Sequence, residues 1–366
     1  MSQLSGYDRI IIKVGSALLV ENGQLRNDWL SSLCADISAL KARGSDILIV
    51  SSGAIALGRQ VLDLPDGRLS LPQKQACAAA GQSILTRAYD DALSAHSHRS
   101  AQALLTLDDT ENRRKWLNAR ATLGTLLSLD IVPVVNENDT VATEEIRYGD
   151  NDRLAARTAQ MVGADLLILL SDIDGLYTTD PRTDPAASHI ARVETLDEDI
   201  MAMGGPANVQ TGLGTGGMAT KLLAAKIAVS AGCDMIICDG RAAGALAKLD
   251  TGAPHTLFKA MQNPKGARAQ WISGSLSSVG TLRIDDGAVA ALRSGRSLLA
   301  VGLTKATGPF SKGDTVRIES PDGTEIARGL TAYDDRDLIS ICGLTSDQID
   351  HPSGAVIVHR DNLVLS

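Results

Sequence analysis

Short, strongly apolar runs recur along the first two thirds of the chain, separated by longer stretches with helical spacing. The runs fall at residues 9–14, 46–50, 131–135, 165–170 and 234–238. Each is strand-length and places Ile, Leu and Val on consecutive rather than alternate positions, the pattern of a strand buried on both faces. The intervals between them predict helices. Residues 28–42 follow Asn27, which suits an N-cap, and stop short of Gly44, which suits a helix end. Residues 150–162 and 219–230 carry the same helical pattern. Strands alternating with helices predict parallel pairing and an α/β fold, a three-layer αβα sandwich.

From about residue 250 the pattern changes. Residues 260–278 contain Pro264 with several glycines and serines and show no clean period, as a linker does. Beyond it, residues 316–318 and 326–330 flank a Pro321-Asp322-Gly323 turn, a hairpin signal. The expected organisation is a catalytic domain over 1–262, a linker over 263–278 and a small β-rich barrel domain over 279–366.

Composition narrows the function classes. The chain has 366 residues, of which 44% are apolar and only 3% aromatic, so aliphatic side chains and Ala must fill the core. Its net charge of −8 argues against default binding to nucleic acid or anionic membrane. Cys34, Cys77, Cys233, Cys238 and Cys342 are scattered and form no CxxC pair, which excludes zinc ribbons and disulfide frameworks. A reducing, cytoplasmic compartment is the expectation. The first apolar run is interrupted by Lys13 and is too short for a signal peptide or membrane span.

The first four runs end in small and polar residues: Lys13-Val14-Gly15-Ser16, Ser51-Ser52-Gly53-Ala54, Asn136-Glu137-Asn138-Asp139 and Ser171-Asp172-Ile173-Asp174-Gly175. In an open α/β sheet the carboxyl ends of the strands form the ligand site. Lys13 there supplies a mobile positive charge for phosphate oxygens, with Gly15 and Ser16 beside it. A second phosphate signal is the glycine-dense stretch that ends in Thr215-Gly216-Gly217-Met218-Ala219-Thr220-Lys221 and leads into a predicted helix. Gly212, Gly214 and Gly217 match GxGxxG, but residues 203–211 are no strand, so the dinucleotide fingerprint fails its context. The order Thr220-Lys221-Leu222 is not a Walker A motif either. A third cluster, Asp150-Asn151-Asp152, opens a predicted helix. With Asp139 it offers carboxylates and amides suited to an α-ammonium group or a hydrated Mg2+.

Two lysines, two glycine-bearing loops and several carboxylates point to phosphoryl transfer, which depends on positioning and charge neutralisation. No His/Ser/Asp or Cys/His arrangement is apparent. A hydroxyl acceptor needs a general base, whereas a carboxylate acceptor is already ionised at neutral pH. Asp139 could serve as such a base, so the acceptor class stays open on this ground alone.

In their order along the chain, these segments resemble the amino-acid kinase family. Within it the likeness is to members that use ATP and Mg2+ to phosphorylate the γ-carboxylate of L-glutamate, the first step towards proline. The tail from about Val279 is similar to a PUA domain. The resemblance implies that Lys13 and Lys221 are catalytic. It implies that Gly15, Ser16, Ser171, Asp172, Thr215, Gly216, Gly217, Met218, Ala219 and Thr220 join them in holding ATP. It assigns Ser52, Gly53, Asn136, Asp139 and Asn151 to glutamate, and names no metal ligands. It further implies inhibition by L-proline and a homo-oligomer. The acyl phosphate product is labile, which gives an expectation of coupling to a glutamyl phosphate reductase. PUA-like domains elsewhere bind RNA. Here residues 271–366 hold nine basic and twelve acidic side chains, with Trp271, Phe310 and Tyr333 the only large aromatics, so a role in assembly or regulation is expected instead.

Overall fold

The computed structural model describes residues 3–141, 151–205, 217–264, 266, 278–351 and 354–365. The chain divides into two compact units, Met1–Pro264 and Lys265–Ser366.

The first unit is built on an eight-stranded sheet. Its strands in chain order are β1 (Arg9–Val14), β2 (Asp46–Ser51), β3 (Arg99–Leu105), β4 (Ile131–Glu137), β5 (Leu166–Ser171), β6 (Arg192–Val193), β7 (Asp234–Asp239) and β8 (His255–Phe258). They lie in the order β6-β8-β7-β5-β1-β2-β4-β3. Strand β1 is central and pairs in parallel with β2 and β5, so that Lys13 sits between Val50 and Leu169. The five strands read from the apolar runs are all parallel to one another. Three strands lie outside that reading, among them the two-residue edge strand β6, which pairs in parallel with β8. Strand β3 pairs in parallel with β4 at the sheet edge, and its sequence Arg-Ser-Ala-Gln-Ala-Leu-Leu carries no doubly buried run. Strand β8 runs antiparallel to β7, returning through a six-residue helix, Ala245–Asp250.

The principal helices are α1 (Asn27–Ala42), α2 (Ala54–Val61), α3 (Leu71–Ser94), α4 (Arg113–Ser128), α5 (Asn151–Val162) and α6 (Met218–Ser230). Asn27 lies inside α1, and Arg26 occupies the cap position without a side-chain cap. Gly44 ends that helix with φ +92°, a conformation that glycine adopts without penalty.

Strand alternation explains the three layers. In β1, Ile10, Ile12 and Val14 face one core with Leu30 and Leu33 of α1 and Leu85 and Tyr89 of α3. Ile11 faces the other, with Leu154, Ala155 and Ala159 of α5 and Leu222, Ala224 and Ala225 of α6. The period of two puts Lys13 on the same side as Ile11, facing α5 and α6. Helix α3 carries a capping box: Ser70 N–H donates to Gln73 Oε1 at 2.9 Å.

The second unit has a five-stranded, mostly antiparallel sheet in which Gly280–Ile284, Thr315–Glu319 and Glu325–Leu330 are neighbours, the last two being the hairpin read around Pro321-Asp322-Gly323. Leu282, Ile284, Val316 and Ile318 form its core with Phe310 and Tyr333. Both aromatics are at most 4% exposed, so neither is a platform for base stacking. Trp271 and nearly all of 263–278 lie outside the described residues.

Two glycines set how closely α2 and α3 approach. A Cβ on Gly58 would lie 1.8 Å from the Cys77 carbonyl oxygen, and one on Gly81 would lie 1.9 Å from that of Ala54. Backbone stands on both sides of each contact, so relaxation requires the helices to part. Gly81→Ala is therefore expected to cost about 3 kcal/mol or more in urea unfolding, at the upper end of overpacking effects. A loss under about 1 kcal/mol would show that the helix pair is not locked in this way.

Candidate active site

The carboxyl ends of β1, β2, β4 and β5 lie side by side in the sheet, and the helices that follow them carry the remaining polar groups. Lys13 is the fifth residue of β1 and projects towards the α5 and α6 side. Asp152 is the second residue of α5, where a carboxylate is favoured by the helix dipole. Lys221 is the fourth residue of α6. Small side chains let these helices meet: Ala155, Ala156 and Ala159 of α5 share a core with Ala224, Ala225 and Ala228 of α6.

The result is a buried triad. Lys13 Nζ lies 2.7 Å from Asp152 Oδ1, and Lys221 Nζ lies 3.1 Å from Asp152 Oδ2. Asp152 is fully buried, and each lysine is 7% exposed. Burial alone would push the Asp152 carboxyl up. The charges of Lys13 and Lys221, with the hydrogen bonds from both, outweigh it and hold the group at about 2. Two ammonium groups on one carboxylate leave these three side chains with a net charge of +1. Two cations from remote parts of the chain are thus fixed side by side at the sheet edge.

Around the triad the other sequence-derived residues divide into two sets. On one side, Asn151 Nδ2 approaches Ser52 Oγ at 2.6 Å, the Ser51 carbonyl at 3.1 Å and Asn136 Oδ1 at 3.1 Å. Ser52, Asn136 and Asn151 therefore form one hydrogen-bonded group. Gly53 joins it as the cap of α2 with φ +114°, a left-handed conformation in which a side chain is strained. Asp139 lies two residues beyond β4 and makes no hydrogen bond to this group. Burial pushes its carboxyl up to about 6 against the opposing charge of Lys74.

On the other side, Gly15 caps the short helix opened by Ser16. A Cβ placed on Gly15 would have only Lys13 Nζ nearby, at 3.8 Å, so the space beside that ammonium is open. Ser171 is buried at the end of β5, and its hydroxyl donates to Asp172 Oδ1 at 3.2 Å. Gly217 caps α6, which begins at Met218, and Ala219 follows one residue on. The Thr220 hydroxyl donates to the Gly217 carbonyl at 2.8 Å and lies 3.4 Å from Asp152 Oδ2. Thr215, Gly216 and Asp150 lie outside the described residues.

The sequence offers the central residue, Asp152, only as a member of a cluster suited to an ammonium group or hydrated Mg2+, and gives no sign that it pairs with the two lysines. Its function depends on its distances to residues 13 and 221, which only the tertiary fold fixes. Among the described residues no group of three or more His, Cys, Asp or Glu side chains converges as a metal site, and no helix is long and apolar enough to cross a membrane.

A buried ion triad of net positive charge at the carboxyl edge of an αβα sandwich suits an enzyme acting on phosphate groups. Comparison with known proteins agrees in class. Residues 8–239 match the amino acid kinase family and residues 280–352 match the PUA domain. The chain belongs to the amino acid kinase family. Over its whole length it is similar to proteins named Glutamate 5-kinase. The one from Caulobacter vibrioides is 53% identical over 98% of this chain and 96% of its own length. That from Brucella anthropi is 54% identical over 100% of this chain and 97% of its own. A solved carbamate kinase from Giardia lamblia bound to AMP-PNP aligns over 70% of this chain and 99% of its own, with 13% identity and a TM-score of 0.49.

Asp152→Asn removes the only charge that compensates Lys13 and Lys221 within the triad. At neutral pH it should destabilise the protein by about 3–5 kcal/mol. Because the folded carboxyl sits at about 2 rather than 3.8, its stabilisation is complete above the unfolded value and is lost as pH falls through the folded one. The gap between wild type and variant in denaturant melts should therefore shrink as pH is lowered below about 4. A gap that stays constant down to pH ~2 would contradict the ion-pair account.

Proposed function

We propose that the protein is an ATP-dependent kinase that phosphorylates the γ-carboxylate of L-glutamate to give L-glutamyl 5-phosphate. The observation that carries this reading is the pair of lysines held on Asp152. In phosphoryl transfer, charge spreads over the equatorial oxygens of the moving group, and catalysis consists of positioning and neutralisation. In this reading a γ-carboxylate oxygen of glutamate attacks the γ-phosphorus of ATP, the bond to the β,γ-bridging oxygen breaks, and ADP leaves. Lys13 neutralises the transferred group. Lys221 meets the charge that develops on the leaving phosphate. Asp152 holds both ammonium groups and takes no proton, since its carboxyl stays ionised at any working pH. No base is required, because the acceptor is already an anion.

In this reading the remaining residues serve the two substrates. Gly15, Ser16, Ser171, Asp172 and the segment from Thr215 to Lys221 hold the nucleotide. Ser52, Gly53, Asn136, Asp139 and Asn151 hold glutamate, with Asp139 facing its ammonium group. Mg2+ enters with ATP, bound mainly by phosphates and water, as this ion prefers. A site for one small zwitterion also admits L-proline as a competitor. The same reading carries assembly into a homo-oligomer and transfer of the labile product to a reductase. Support for glutamate as the acceptor comes from the relatives' names and from the amide-rich, hydroxyl-bearing group beside the triad. The buried Phe310 and Tyr333, with the acidic balance of residues 271–366, favour a role in assembly or regulation over RNA binding for the second unit.

The test is ATP consumption by the full chain with glutamate, aspartate, N-acetylglutamate, carbamate and UMP as acceptors, with and without proline. Turnover should depend on glutamate and fall when proline is added. Lys221→Ala should lower kcat by roughly a hundredfold or more. Preferential turnover of another acceptor would overturn the substrate, and near-normal turnover in Lys221→Ala would overturn the role of the triad.

A further inference from the structure

Helix α3 contributes no residue to the chemistry proposed above, yet it underlies the acceptor side of the site. Tyr89, fully buried on α3, places its hydroxyl 2.9 Å from Ser51 Oγ, next to Ser52. Gln82 stands seven residues earlier, on the same face of the helix.

The polarity of the amide group can be followed from one fixed donor. The Glu137 main-chain N–H donates to Asn136 Oδ1 at 2.8 Å. A main-chain N–H can only donate, so that end of the Asn136 amide must be oxygen and the other end nitrogen. Asn136 Nδ2 then donates to Gln82 Oε1 at 2.8 Å. Gln82 can present oxygen there because its Nε2 is turned to Thr86 Oγ1, one turn further along α3, at 3.3 Å. On the inner side, Asn136 Oδ1 accepts from Asn151 Nδ2 at 3.1 Å. Asn151 must therefore turn its nitrogen towards Asn136 and Ser52. Its Oδ1 is left buried and, among the described residues, without a hydrogen-bond partner. A buried acceptor with no partner calls for a donor from outside, and an ammonium group supplies one.

We propose that Gln82 is a positioning residue for the acceptor substrate. It holds the Asn136 amide from the side opposite the Glu137 N–H, and through Asn136 it keeps Asn151 turned so that an acceptor oxygen faces the bound amino acid. This assignment rests on the glutamate reading above. Without the Gln82 oxygen, Asn136 Nδ2 is a buried donor with no partner, and the Asn136–Asn151 pair is held from one side only. The cost falls on the amino-acid site. The nucleotide side hangs on the strand and helix ends of β1, β5 and α6 and is not part of this chain of amides.

The experiment compares Gln82→Met, which keeps the length and removes the acceptor, with Gln82→Glu, which keeps an acceptor oxygen. Steady-state ATP consumption is measured in the full chain, varying glutamate at saturating ATP and then the reverse. Gln82→Met should raise KM for glutamate about tenfold, as expected for losing one hydrogen bond to a buried group, and leave KM for ATP within about twofold. Gln82→Glu should restore KM for glutamate to within about threefold of wild type. Unchanged KM for glutamate in Gln82→Met, equal rises in both KM values, or a Gln82→Glu variant as impaired as Gln82→Met would each overturn the assignment. Wild-type protein that shows no glutamate-dependent turnover would instead defeat the substrate reading itself, and that result is seen before either variant is made.

Discussion

One buried carboxylate between two ammonium groups governs the organisation of the catalytic unit. Desolvating Asp152, Lys13 and Lys221 is costly, and their mutual attraction offsets that cost. The fold meets that cost by bringing three distant segments together: the tip of the central strand, the start of α5 and the first turn of α6. The parity of β1 aims Lys13 at α5 and α6, and the alanine-rich contact between those helices closes the distance from Asp152 to Lys221. In the proposed reading the excess positive charge that remains suits the site to phosphate, so the stability problem and the chemistry share one cause.

The acceptor side is organised by a different principle. Apart from Asp139, its groups are neutral amides and hydroxyls whose directions are set by main-chain donors and by a second layer on α3. That helix is itself pressed against α2 by glycine contacts too close to admit a Cβ. Rigid backbone packing and amide direction are thus linked in series. In the proposed reading, charge neutralisation and orientation, the two requirements of phosphoryl transfer, fall to separate layers of the sandwich.

Much of the fold was legible in the sequence because β1, β2, β4, β5 and β7 are buried on both faces and so carry near-continuous apolar runs rich in Ile, Leu and Val. Edge strand β3 was not, since exposed Arg99 and Gln102 and half-buried Ser100 break the run. The direction of β8 was also hidden: a strand's apolar content does not report which way it runs. Within the site, Lys13 and Lys221 stood out through their glycine-bearing contexts, and the strand-end clusters located Ser52, Asn136 and Ser171. Asp152 stood in a marked cluster, but nothing in the sequence pairs it with the two lysines, and Gln82 reads as an ordinary polar residue in a long helix; each takes its place through contacts across more than fifty residues of chain.

The most direct test of the central claim is a crystal structure with Mg2+ and a non-hydrolysable ATP analogue, read for the distances from the Lys13 and Lys221 amines to the phosphate oxygens. The account predicts both amines within about 3 Å of the β- or γ-phosphate oxygens while each remains hydrogen-bonded to Asp152. A complex in which either amine points away from the phosphates, or in which the nucleotide binds with the Asp152 pairs broken, would contradict it.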